Sequence, residues 1–177
     1  MGSADQFRMT VTRTDRTLAA LVHAQRLPVV GRGVRLLLKL LGTDIPVQAL
    51  APGRRLVLQH GGHVVVHHTT RLGDDVVLMH NVTIGRADLW QPTSADFAGV
   101  VVEDGAILGV GAVVLVSKGT LTLGRGSIVG ANSVLTRSTA PGEVWAGTPA
   151  RRIRHRDDDG RRTAEVSLPK SSVPSLV

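Results

Sequence analysis

The chain contains no cysteine, which removes disulfides, thiolate nucleophiles and cysteine-based metal sites. It has no tyrosine, two tryptophans and two phenylalanines. Proteins that hold nucleic acid strands rely on aromatic side chains as stacking platforms, so nucleic acid is not the expected partner. A core built around large rings is excluded too, and layers of Val, Leu and Ile must fill the interior instead. No stretch is long and apolar enough to span a bilayer, which takes about 20 residues; the richest, Val34 to Leu41, is far shorter. Met1 to Arg16 is polar and lacks the apolar centre of a secretory leader. These absences fit a cytoplasmic chain with no stable membrane insertion.

What is present in excess is positive charge, +7 net, and an anionic partner follows from it. With aromatics so scarce, a phosphate-bearing cofactor fits better than a polynucleotide. The 177 residues suffice for one domain with a sizeable core.

The dominant pattern is a repeat of six. Val66, Leu72, Leu78 and Ile84 fall in register, with Thr70, Val76 and Val82 four positions after the first three. Val102, Leu108 and Val114 resume it, with Ala106 and Ala112; Leu123, Val129 and Leu135 continue it, with Ser127, Ser133 and Thr139. A period of six matches neither a lone strand nor an amphipathic helix. It marks a solenoid, a parallel β-helix of hexapeptide repeats. The first-position aliphatic points into a narrow core, and Gly, Asp and Asn fill the tight corners.

In chain order, residues 1–43 form a helical N-terminal segment, with helices expected over Thr17–Leu27 and Gly33–Leu41. Its Leu36, Leu37, Leu40 and Leu41 need a cover, for which packing within the protein is expected. The β-helix runs over 44–153, with a loop ejected at 86–99 that carries Trp90 and Phe97. The presence of both rings in one loop suggests a tip buried against something. Residues 154–177 are charged, then Ser/Pro-containing, and read as a mobile tail.

A triangular coil takes three hexads. Leu58, Leu78, Leu108 and Val129 then stack on one face, Val66 and Ile84 on the second, Leu72 and Val102 on the third. His60 and His80 each lie two positions past their face-one aliphatic, which sets them side by side in adjacent coils. Five of the seven histidines fall between residues 60 and 80. A general base, a metal site and a solvated cluster are all open readings. The cluster suits His63, His67 and His68. The base suits His60, beside Gly61-Gly62 at a break in the coil.

These residues carry a family resemblance. Leu58-Gln-His60-Gly-Gly and Leu78-Met-His-Asn-Val-Thr-Ile-Gly85 resemble the catalytic half of serine acetyltransferase. Leu108-Gly-Val-Gly-Ala112, Val129-Gly-Ala-Asn132 and Ala146-Gly-Thr-Pro-Ala-Arg151 resemble its cofactor half. The chain looks closest to the branch serving polysaccharide and secondary-metabolite pathways. The resemblance implies a left-handed parallel β-helix assembled as a homotrimer, with acetyl-CoA in the groove between subunits and no metal. It implies that His60 deprotonates an acceptor hydroxyl, that Asp44 orients His60, and that Asn132 and Ala146 belong to the cofactor half.

Two departures bear on the acceptor. Gln59 stands where the serine enzymes carry an aspartate, and Arg86-Ala-Asp-Leu-Trp replaces their Arg-His-Pro loop motif. A saccharide or other small-molecule hydroxyl is therefore the expected acceptor, with serine O-acetylation as the alternative reading and His80 as a contact to the acceptor. The chemistry asks for a base and for oxyanion donors. Amides at Gly61-Gly62 are candidates for the latter. Small residues at Gly109, Gly111, Ala112, Ala131 and Gly147 would let a pantetheine arm lie against backbone, and Arg151 and Arg152 could meet its phosphates.

Two other readings compete. A γ-class carbonic anhydrase-like metalloenzyme uses the same scaffold, and His63 and His68 show its His-x-x-x-x-His spacing, but the late coils hold no histidine. A non-catalytic β-helix scaffold would leave the Ala146–Arg151 motif and the ejected loop unexplained.

Overall fold

Through the regular coils, successive strands of this chain do not pair with each other; each pairs with the strand three further on, until a closing hairpin breaks the pattern. The structure, a computed structural model, describes residues 13–51, 55–60, 62–88, 90, 92 and 96–157. Helices α1 (Arg13–Ala24) and α2 (Gly31–Leu40) lead in. The first coil holds β1 (Leu56–Gln59), β2 (Val65–Val66) and β3 (Arg71–Leu72), and the second β4 (Val76–Met79), β5 (Thr83–Arg86) and β6 (Phe97–Val102). The third holds β7 (Ile107–Leu108), β8 (Val113–Val116) and β9 (Gly119–Leu123), and the fourth β10 (Ile128–Val129) and β11 (Val134–Leu135). A closing hairpin, β12 (Glu143–Gly147) and β13 (Ala150–His155), ends the described chain.

Three sheets result, ordered β1-β4-β7-β10-β12-β13, β11-β8-β5-β2 and β3-β6-β9. All pairs are parallel except β12–β13. The expected face assignment holds residue by residue. Leu58 pairs with Leu78, Leu78 with Leu108 and Leu108 with Val129 on the first face. Val66 pairs with Ile84 on the second and Leu72 with Val102 on the third, so the loop leaves and rejoins without changing register.

The core follows from the period. Leu58, Leu78, Ile84, Leu108, Leu123, Val129 and Leu135 are fully buried, as are Val76, Val82, Ala106, Ala112, Ser127 and Ser133 at the fifth positions. Only a small or β-branched side chain fits where the strand turns inward at a corner. Strands as short as two residues would be marginal alone. Here each buries its aliphatic between those of the coils above and below.

Below the first coil, Asp44 bridges to Val65 and Leu50 to Leu72, so the chain begins to wind before its first regular strand. The helices cap this end. Val22, Leu38 and Ile45 are buried with the core, and Leu18, Leu21 and Val34 pack against it. Helix α1 starts four residues before the expected Thr17 and stops at Ala24, short of Leu27. Bonds from the Arg26 and Leu27 amides to His23 and Ala24 tighten the chain there into a turn. Helix α2 starts at Gly31, two residues early, where a Cβ would lie 2.3 Å from the Gln25 carbonyl oxygen.

One expectation is corrected. Among the described residues nothing within the chain covers Leu36, Leu37, Leu40 and Leu41: α2 turns Val34 and Leu38 inward, and those four leucines face solvent. The indole of Trp90 is exposed too, while Phe97 alone of the two loop aromatics reaches the core.

The stacked register predicts a stability test. Leu78 is fully buried between Leu58 and Leu108, so Leu78→Ala should cost about 2–5 kcal/mol by urea denaturation. Val65→Ala, at an exposed position of β2, should stay within about 0.5 kcal/mol.

Candidate active site

The corner after the first face gathers most of the residues singled out from the sequence. Two positions beyond Leu58, Leu78, Leu108, Val129 and Trp145, which are in register, come His60, His80, Val110, Ala131 and Gly147. Parallel neighbours lie about 4.8 Å apart, so this column spans about 19 Å. The His60 and His80 rings are edge to face with centroids 6.5 Å apart. Asn81, Gly111 and Asn132 turn the next step of the corner with φ of 59°, 65° and 52°.

His60 itself has φ 53°, a left-handed conformation at the point where the first coil takes two extra residues. Its amide donates to Asp15 Oδ1 at 2.8 Å. Asp15 is 3% exposed, in the first turn of α1, where the helix dipole favours a carboxylate. The sequence reading missed it because nothing local signals a contact across 45 positions, and because the helix was expected to begin after it.

Other expected partners go elsewhere. Asp44 Oδ2 is 3.1 Å from Lys39 Nζ, and its backbone joins β2, so Lys39 and not His60 holds this carboxylate. The Gly62 amide donates to the His60 carbonyl at 2.7 Å and is not turned toward an oxyanion; Gly61 lies outside the described residues. Two polar atoms beside His60 are buried without a hydrogen-bond partner among the described residues: His80 Nδ1 and Gln59 Oε1. Such atoms cost about 1–3 kcal/mol unless something bonds them. Their place at this corner makes a ligand's polar group the natural partner.

The small residues serve two purposes. A Cβ at Gly109 would lie 2.9 Å from the Ala131 amide nitrogen, so glycine there is dictated by the neighbouring coil, whereas at Gly111 the demand is the left-handed φ that Asn81 and Asn132 also adopt. Ala112 is fully buried in the core and turns no side chain to a groove. Ala131, Asn132, Gly147, Arg151 and Arg152 are exposed, and Ala146 is half-buried. Gly147 donates to Ser133 Oγ at 3.0 Å, which ties the hairpin to the corner. Arg152 Nε pairs with Glu143 Oε1 at 2.8 Å. The Ala140 amide and then the Trp145 indole bond to Glu143 and hold its carboxyl below the usual range.

The remaining histidines sit apart from this column. A Cβ on Gly42 would come within 2.6 Å of the His63 ring, so His63 packs on the end of α2. His67 and His68 stack at 4.2 Å; His67 meets the Phe97 edge at 5.6 Å and bonds Thr69 Oγ1 at 2.9 Å. Arg86 lies over the Phe97 ring, 5.6 Å from its centroid, and pairs with Asp88 at 2.8 Å. Among the described residues, no three His, Asp or Glu side chains are grouped to hold a metal.

Two outcomes follow. Asp15→Ala strands the His60 amide and should cost about 1–3 kcal/mol in urea, whereas Asp15→Asn keeps an acceptor and should recover most of it. The pKa of His67 is lowered, first by burial, then by His68 and Arg86. The unfolded chain therefore takes up this proton more readily. The contribution is intact above about pH 6.5, the ordinary histidine value, and is lost as pH falls toward the lowered pKa. Urea midpoints at pH 7.5 and 5.5 should drop further for the wild type than for His67→Asn.

Comparison with known proteins bears on this corner. No protein-family profile matches the chain. It is 34% identical over 134 residues to a serine acetyltransferase of Mycobacterium tuberculosis, covering 69% of this chain and 53% of that protein. It is 31% identical over 137 residues to a serine acetyltransferase of Helicobacter pylori, covering 77% and 75%. A crystal structure of serine acetyltransferase in complex with coenzyme A from Brucella abortus superposes with a TM-score of 0.60 at 26% identity, over 79% of this chain and 54% of that one. The chain thus spans about half the length of the first and third of these proteins.

Proposed function

The chain belongs to the serine acetyltransferase family, and on that premise we propose that it is an acetyl-CoA-dependent O-acetyltransferase. The observation that carries the reading is the corner column: His60 and His80 side by side at one end, the exposed small residues and Arg151 at the other. A thin acyl-pantetheine arm laid along it would bring a thioester toward His60 with its phosphates near Arg151 and Arg152. The winding is taken as left-handed and the assembly as a homotrimer, with the groove completed by a neighbouring subunit.

The chemistry is a single displacement. His60 takes the proton from the acceptor hydroxyl as its oxygen attacks the thioester carbonyl. The tetrahedral intermediate collapses, the carbon–sulfur bond breaks, and the departing CoA thiolate regains the proton from the imidazolium. Products are an acetyl ester and free CoA. Asp15, through the His60 amide, fixes the backbone that carries the base; Asp44 acts at one remove, through β2. His80 Nδ1 and Gln59 Oε1 are assigned to the acceptor.

On the acceptor, the relatives favour serine over the saccharide expected from Gln59 and the loop. Both readings enter one experiment: thiol release from acetyl-CoA with L-serine and with a panel of saccharides. Serine should be the better acceptor. His60→Ala should lower kcat about a hundred- to ten-thousand-fold while leaving the affinity for CoA nearly unchanged, since the base acts on the hydroxyl. His80→Ala should raise the acceptor KM more than it lowers kcat. Turnover retained in His60→Ala but abolished in His80→Ala would reassign the base.

A further inference from the structure

The apolar side of α2 has no cover among the described residues. Val29 is 90% exposed, Leu40 78% and Leu36 61%, and Leu27, Val30, Leu37 and Leu41 are exposed beside them. At about 100° per residue, Leu36, Leu40, Gly33, Leu37 and Leu41 sweep one uninterrupted arc of about 140°. Val34 and Leu38, which face the core, border it on one side; Arg32, Arg35 and Lys39 border it on the other. From residue 16 to residue 43 the sequence has no Asp or Glu, and Arg16, Arg26, Arg32, Arg35 and Lys39 all fall there. An apolar stripe flanked by cations, with no acidic residue, is the pattern of a helix that lies in a membrane interface.

We propose that α2, with the turn before it, docks the protein on the surface of an anionic lipid bilayer. The leucines would enter the boundary between headgroups and acyl chains, and the arginines would meet lipid phosphates. No helix of the described residues is long and apolar enough to cross a membrane, so this is attachment to one leaflet. Charge at this face selects the bilayer over a second copy of the chain: self-pairing through the stripe would bring Arg32 and Arg35 up against their own counterparts. Asp44, the carboxylate that directly follows this segment, is already engaged with Lys39. An anionic leaflet supplies negative charge and apolar depth together. The proposal does not depend on the acetyl transfer.

The test is co-sedimentation of the full chain with vesicles, either phosphatidylcholine alone or containing phosphatidylglycerol, with light scattering in parallel. The wild type should pellet with the anionic vesicles, less so in high salt, and stay in solution with the neutral ones. Leu36→Ser with Leu40→Ser should abolish binding at unchanged molecular mass. Arg32→Ser with Arg35→Ser should weaken the partition about fivefold per lost cation. Wild type that ignores anionic vesicles overturns the proposal. So does binding that survives the leucine substitutions, which would reflect only the general attraction of a +7 chain. A fall in molecular mass on those substitutions, without vesicle binding by the wild type, would give the face to a second copy.

Discussion

Everything in this molecule depends on parallel pairing between a coil and the next one at fixed register. Leu58, Leu78, Leu108 and Val129 are held in one column by backbone hydrogen bonds along the first face. The side-chain period along a strand is two, so a slip of one residue would turn each of these aliphatics outward and leave Gln59, Met79, Gly109 and Gly130, or the residues on the other flank, to fill the column. That penalty is repeated at each coil, which is why strands of two residues suffice. It also transmits position: whatever lies two residues past the column in one coil lies beside its counterpart in the next.

The candidate site exploits this transmission and breaks it once. The first coil takes eight residues from Leu58 to Val66 where the second takes six from Leu78 to Ile84. The extra length is absorbed after Leu58 and Gln59 have paired with the second coil, so it emerges at His60. His60 is thereby lifted out of the regular corner and given a left-handed backbone that neither coil above it imposes. Asp15 supplies the constraint the repeat no longer provides. Conformations of that kind persist only where the surroundings over-determine them, and they gather at functional sites.

The residues that obey the period were legible from the sequence, and those that depend on side-chain reach were not. The three faces, the return of Val102 after the loop and the pairing of His60 with His80 all follow from counting, because the repeat turns sequence distance into spatial distance. Asp44 failed as a partner for His60 because its backbone obeys the repeat while its carboxylate answers to Lys39, a residue on a helix the repeat does not describe. Gly109 and Ala112 were credited to a ligand when the coils themselves require them small. Asp15 was invisible for the same reason in reverse: a long-range contact from outside the repeat leaves no local trace.

The open end of a solenoid sets one further condition. The first coil would expose the bottom of its core column, and α1 and α2 exist in part to close it, with Val22, Leu38 and Ile45 as the plug. A capping helix needs one apolar stripe toward the coil and a polar surface elsewhere. Helix α1 meets that description, with Arg13, Arg16 and Thr17 outside. Helix α2 does not. Its inward stripe is Val34 and Leu38, and its outer leucines add nothing to the plug. Capping accounts for half of α2, and four leucines held in water at the edge of a cationic flank need another reason. An apolar surface of that extent is retained where something covers it.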